Sequence, residues 1–265
     1  MRSPEPNEAD TRDYPEMAAE AGRVEPAPRR VRGFVAGQQV FDTTRAHYVW
    51  EWPYYPQYLI PHDDVVGEFL EDEGHVSRQP RGTAHRHGLR VGEVHRPGTA
   101  HVYDADAVAG MAGAVRFEWD ALDAWFEEDE EIFVHPRNPY VRVDALRSQR
   151  HVRVELDGVM LADTRSPVLL FETGLPTRYY VDRTDVHFEH LLPSPTSTSC
   201  PYKGTTSDYW SVRVGDEVHE DLAWGYNFPT DAARPVAGMV AFYNELVDIV
   251  LDGERLTRPR THLAE

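Results

Sequence analysis

Val40-Phe41-Asp42-Thr43-Thr44-Arg45 recurs as Met160-Leu161-Ala162-Asp163-Thr164-Arg165, 120 residues later. The same offset sets Pro56 against Pro176 and Leu59-Ile60 against Tyr179-Tyr180, and a one-residue shift then aligns Asp64-Val65 with Asp185-Val186. A repeat of this length is the duplication of a whole module, not the short period of a solenoid. It divides the chain into two tandem modules, residues 31–147 and 148–258, with the join near Arg137–Arg150, where HPRNPY (135–140) and a polar SQR stretch (148–150) supply turn residues. Residues 1–30 and 259–265 carry Pro, Glu, Ala and Arg without an apolar period and read as disordered tails.

Inside the modules the period is two. His151 to Glu155 alternates polar and apolar, and Asp157-Gly158 follows as a hairpin turn into VML (159–161). VLLF (168–171) is a short apolar run of the kind buried on both faces. YWSVRV (209–214) precedes Gly215-Asp216, and VAFY (240–243) with VDIVL (247–251) reads as a third pair before Asp252-Gly253. One short helix is expected over Trp119–Glu131, whose EEDEE end (127–131) reads as a solvated charge run. With 20 prolines and 18 glycines punctuating short strands, the expected fold class is mainly β: two related antiparallel modules with few short helices.

Composition bounds the partners. The chain has 265 residues, enough for two ordinary domains, and 41% hydrophobic with 27% charged residues is globular composition. A formal charge of -18 repels phosphate backbones and anionic lipid, so neither nucleic acid nor membrane is an expected partner. No run of eighteen apolar residues occurs, and the first residues lack the apolar core of a secretory signal. The single cysteine, Cys200, excludes an internal disulfide, so a reducing cytoplasm is the expected compartment. Nothing in the sequence implies a cofactor.

Several motifs run together in the second module: FETGLPTRYY (171–180), Asp185-Val186, TSCPYKG (198–204), Tyr209-Trp210, LAWGY (222–226) and VAFYNE (240–245). These resemble the bacterial domain-of-unknown-function family 427. The first module's VWEWPYYPQYLIP (49–61) and WFEEDEEIFVHPRNPYVRVD (125–144) resemble the upstream copy of two-copy members. The resemblance covers roughly residues 31–255. It implies a compact antiparallel fold similar to the β-tent domains, some of which bind a small ligand in an aromatic pocket, as cereblon does. It carries no function over. Neither a glycine-serine nucleotide loop nor an Asp-x-Asp pair supports the nucleotidyltransferase label sometimes attached to the family.

The candidate site lies in the second module. Of 27 basic residues only Lys203 is lysine, and it stands three residues from the only cysteine. Lysine is a compact, deprotonatable amine that arginine cannot replace. Glu172, at the end of an apolar strand, needs a partner if buried, and Lys203 or Arg178 could supply it. Thr198 adds a polar contact, while Tyr179, Trp210, Trp224 and Tyr226 offer flat walls with one hydrogen bond each. Trp224-x-Tyr226 on one strand puts both rings on one face. The ligand-binding set is therefore Glu172, Tyr179, Thr198, Cys200, Lys203, Trp210, Trp224 and Tyr226. The plainer account of each is a core aromatic, a small buried thiol and a turn lysine.

The first module keeps neither cysteine nor lysine. Its AHRHG (84–88) aligns with the CPYKG stretch, setting Ala84 opposite Cys200 and Gly88 opposite Gly204, and Glu51 is a rough counterpart of Glu172. His85, His87, His95 and His101 invite a metal reading only if they converge; read as loop residues they are solvated, and no metal is expected.

The function expected is the binding of a small polar or aromatic ligand in the second module. One alternative is an enzyme acting on a carbonyl- or amide-type substrate, with Cys200 as nucleophile or Lys203 as base. The other is a protein-interaction scaffold.

Overall fold

Each copy of the repeat builds the same two antiparallel sheets, one of seven strands and one of four. The computed structural model describes residues 19–20, 22–79 and 81–261, so most of the expected N-terminal tail and the last four residues lie outside it, while Val24–Pro26, within that expected tail, is an ordered strand paired with His47–Val49. The protein is mainly β, and its helical segments are short 3-10 turns.

In the second copy the large sheet runs Val143–Arg147, Val168–Glu172, Arg178–Val181, Val240–Phe242, Glu217–Gly225, Asp208–Val214, Leu191–Ser194. The small sheet runs Val159–Thr164, Val152–Leu156, Asp248–Leu251, Glu254–Arg255. The first copy repeats both orders: Val24–Pro26, His47–Val49, Gln57–Pro61, Ala114–Phe117, Val94–Tyr103, Gly82–Val91, Leu70–Gln79, and then Gln38–Thr43, Val31–Val35, Ala124–Glu127, Glu130–Ile132. The hairpins form where the turn chemistry puts them. Asp157 and Gly158 have φ of 49° and 82°, and Asp252 and Gly253 have 54° and 90°, the left-handed pair that a two-residue turn requires.

The two copies superpose in register at an offset of 121 residues in their first half, not 120. Thr43 Oγ1 donates to Asp64 at 2.6 Å, and Thr164 Oγ1 donates to Asp185 at 2.6 Å. Phe41 bridges Val65 as Ala162 bridges Val186. The sequence match of Thr44-Arg45 with Thr164-Arg165 is therefore one residue out, and Leu59-Ile60 correspond to Tyr180-Val181. A slip of one residue in a strand exchanges its two faces, so the correction changes which side chains are equivalent.

Other expectations change. VAFY and VDIVL do not pair with each other: Val240–Phe242 lies in the large sheet and Asp248–Leu251 pairs with Val152–Glu155 in the small one. Trp119–Glu131 is not a helix but a 3-10 turn at Trp119–Ala121 followed by a hairpin, with Trp125 and Glu127 on its buried side. Glu127 of the charge run is buried and accepts from the Tyr58 hydroxyl at 2.5 Å. The compact units divide between Pro139 and Tyr140, ahead of the expected boundary at 147/148, because Val143–Arg147 is an edge strand hydrogen-bonded to Val168–Glu172.

The large sheet of the second copy is buried on both faces, as its apolar runs require. Leu169, Tyr179, Val181, Trp210, Val212 and Phe242 point toward the small sheet, where they meet Val152, Val154 and Leu161. Leu170, Tyr180, Tyr209, Trp224, Tyr226 and Ala241 point the other way, against Ala233 and Val236 of the 3-10 segment Asp231–Val236. Each fully buried aliphatic or aromatic side chain contributes about 1.5–3 kcal/mol relative to exposure. This second face carries the candidate site.

Candidate functional site

Glu172 closes the Val168–Glu172 strand. Leu170 faces the aromatic side of the sheet, and the period of two points Glu172 the same way. Lys203 reaches it from a turn held between two short strands, Ser199–Cys200 and Gly204–Thr205. Gly204 sits at φ +94°, a conformation a residue with a Cβ resists. The turn is tied down from the neighbouring loop: Thr230 N donates to Lys203 O at 3.1 Å, and Thr230 Oγ1 donates to Tyr202 O.

Lys203 Nζ donates to Glu172 Oε2, with side-chain exposures of 13% and 6%. Burial opposes the ammonium charge. Cys200 and Glu172, followed by the phenols of Tyr226 and Tyr180, favour it and prevail, so the Lys203 pKa is held well above its ordinary value. Tyr180 is completely buried, and desolvation pushes its phenol up to about 12. Burial pushes Tyr226 up further. Both tyrosines are thus neutral hydrogen-bonding groups beside a charged pair.

A second polar layer flanks the first. Trp224 Nε1 donates to Tyr180 Oη at 3.3 Å, and Trp224 packs against Tyr243 at 4.4 Å between ring centroids. The Tyr209 and Tyr243 hydroxyls are 2.6 Å apart, and Tyr209 also touches the Thr198 side chain. Arg178 lies over the Trp224 and Tyr243 rings at 5.7 and 5.6 Å. Its guanidinium is bidentate to Glu245, at 2.5 and 2.7 Å, and donates to Asn244. Arg178 is therefore engaged elsewhere, and Lys203 is the partner of Glu172.

Of the expected site residues, Glu172, Cys200, Lys203 and Tyr226 come together, with Trp224 joined through Tyr180. Thr198 is exposed and contributes only at the Tyr209 end. Tyr179 and Trp210 do not belong: both face the small sheet in the core on the opposite side. The expected ligand-binding set left out Tyr180 and Tyr209, their alternates among the module's aromatics, and Tyr243. The parity of Leu170 and Glu172 gives the correct phase only once the strand register is known.

The first copy arranges the same place differently. Glu51 is the counterpart of Glu172 at the offset of 121. The ladders Ile60↔Val115 and Val102↔Val115 match Val181↔Val240 and Gly225↔Val240, which sets Tyr103 against Tyr226, His101 against Trp224 and Arg116 against Ala241. The cation here is Arg116, from a different element than Lys203. AHRHG lies within the continuous strand Gly82–Val91, whose partner in the second copy is Asp208–Val214, so Ala84 is not opposite Cys200. His85 pairs with Asp104 at 3.0 Å, His95 with Glu71 at 3.2 Å and His101 with Glu118 at 3.2 Å, each in its own contact. Among the described residues no three His, Cys, Asp or Glu side chains gather as metal ligands.

A family model described as a domain of unknown function, DUF427, matches residues 23–128 and again residues 144–253. No curated protein matches the chain.

Proposed function

The chain belongs to the DUF427 family in two tandem copies, and from that premise we propose that its second copy binds a small polar or aromatic ligand beside the Lys203–Glu172 pair. One observation carries this reading: the sole lysine of the chain, its side chain only 13% exposed, is paired with a buried carboxylate. Desolvating two charges costs several kcal/mol per ion on the order of magnitude for such pairs, and well-packed apolar residues of similar volume are often as stable or more so. A pair kept in spite of that cost is suited to recognition. Tyr180, Trp224 and Tyr226 supply flat surface around it, and Cys200 lines the same turn.

The alternative of an enzyme with Lys203 as general base or Schiff-base amine is the weaker one. Such a lysine needs its pKa lowered toward neutrality, and the Lys203 ammonium is held well above its ordinary value. Cys200 lacks a companion histidine in this turn: His187 faces Glu189 at 3.5 Å. The acidic charge and single cysteine fit a cytoplasmic setting without nucleic-acid or membrane partners, and among the described residues no helix is long and apolar enough to cross a membrane.

Thermal-shift screening of a small-molecule library against the wild type, Lys203→Met and Lys203→Arg tests the reading. Ligands of this site stabilise the wild type and lose their effect in both variants, because neither thioether nor guanidinium reproduces a compact ammonium. Hits that survive both substitutions place the binding site elsewhere.

A further inference from the structure

Cys200 and Lys203 share one turn, whose flanks pair as Cys200↔Gly204. The thiol is half-buried and the Lys203 side chain keeps 13% of its surface, so both meet solvent. Of the three ammonium N–H bonds, one goes to Glu172 Oε2, and the other two find no acceptor among the described residues. Tyr226 is only 4% exposed, yet its hydroxyl makes no hydrogen bond among the described residues. Nor is that hydroxyl one of the unpartnered polar atoms sealed from solvent. The charges of Lys203 and Cys200 both act on the Tyr226 phenol, and Cys200 and Tyr226 both act on the Lys203 ammonium, so the three groups occupy one neighbourhood. A reachable thiol thus stands beside two unused donors, an ammonium and a phenol. The first copy has neither cysteine nor lysine and lacks this combination.

We propose that this corner binds an aldehyde reversibly, as a thiohemiacetal of Cys200 whose oxygen rests on the Lys203 ammonium and the Tyr226 hydroxyl. The sulfur forms a bond to the carbonyl carbon, the π pair of the C=O bond moves onto oxygen, and the thiol proton ends on that oxygen. Nothing is oxidised or reduced, and no co-reactant is needed. Donors fixed beside the nucleophile stabilise the charge that gathers on oxygen during addition. An amide or ester would also need a proton for its leaving group, which no histidine of this turn supplies; an aldehyde has no leaving group. The sulfur reacts rather than the amine, because an imine requires a free amine and Lys203 is held as ammonium against Glu172. The inference rests on the ligand-binding reading of this same site and names the ligand class.

The test is a titration of the full chain with benzaldehyde carrying carbon-13 at the carbonyl, read by NMR. The expected result is a saturable signal of a tetrahedral carbon that disappears on dialysis and is absent from Cys200→Ser. In Tyr226→Phe, which keeps the ring and its packing, the adduct should form with an equilibrium constant about tenfold lower, as for one lost hydrogen bond. Any of four results overturns the proposal: no tetrahedral signal up to the solubility limit of benzaldehyde, an equal signal in Cys200→Ser, an unchanged constant in Tyr226→Phe, or an imine at Lys203 trapped by borohydride. Library ligands that depend on Lys203, in a protein that forms no adduct, would overturn the aldehyde alone. Library ligands indifferent to Lys203 would overturn the binding reading first.

Discussion

Lys203 donates to Glu172 across thirty-one residues of sequence, with both side chains almost removed from water. Each charge is tolerable there because of the other. Removing one should hurt far more than removing both.

Lys203→Met leaves the Glu172 carboxylate buried and unpaired, and is expected to cost about 3–5 kcal/mol in urea unfolding. Glu172→Leu should cost a comparable amount by stranding the ammonium. The double variant Glu172→Leu/Lys203→Met should recover most of the loss, or exceed the wild type. If the two single effects simply add in the double variant, the pair is not coupled as the geometry requires.

Stability should fall at both ends of the pH range for different reasons. Glu118 is pulled down to about 2, first by its hydrogen bond from His101 and, against desolvation, by Arg116. A depressed carboxylate stabilises above its unfolded value, about 4.3, and that contribution disappears as pH falls toward 2. Because Glu118 is half-exposed, its share should be at most about 1 kcal/mol after solvent screening. Glu118→Gln should flatten this limb. Lys203 and Tyr180 are both raised, so their contribution is complete below about pH 10 and is lost above it. Tyr180→Phe should make the alkaline loss shallower. Acid and alkaline limbs unchanged in the two variants would contradict these assignments.

The two copies fill the same core position with opposite volumes. Gly33 pairs with Phe41 in the first, and Val154 pairs with Ala162 in the second, each at a bulge. A Cβ on Gly33 would lie 2.4 Å from Phe41 Cε1 and 2.6 Å from Leu122 Cδ1. Gly33→Ala is therefore expected to cost about 1–3 kcal/mol by overpacking, and Phe41→Ala about 3–5 kcal/mol by leaving a cavity. Combining Gly33→Val with Phe41→Ala copies the other module, and its cost should be well below the sum of its parts. Recovery stays partial because Phe41 also packs on Phe117 and Trp125, at 5.5 and 5.4 Å. Strict additivity in calorimetric melts would refute the volume exchange.

The sequence by itself determined the mainly β fold class and its duplication. Strand period, hairpin turns such as Asp157-Gly158, and the duplication are local or one-dimensional signals, and each copy carries them in its own residues. It also singled out Lys203 and offered it, alongside Arg178, as a partner for Glu172, because a lone lysine and a carboxylate on an apolar strand are anomalies visible without coordinates. What it could not supply was phase. Matching Thr44-Arg45 to Thr164-Arg165 set the repeat at 120, whereas the hydrogen bonds Thr43–Asp64 and Thr164–Asp185 fix it at 121. A strand shows alternate residues to opposite faces, and only its partners decide which face meets which layer. That is why Tyr179 and Trp210 went to the site in the reading and to the opposite core in the fold, while Tyr180 and Tyr209 took their places. The Arg116–Glu51 pair was illegible because its cation comes from a strand that holds alanine in the other copy, so no alignment of motifs could bring it to Glu51.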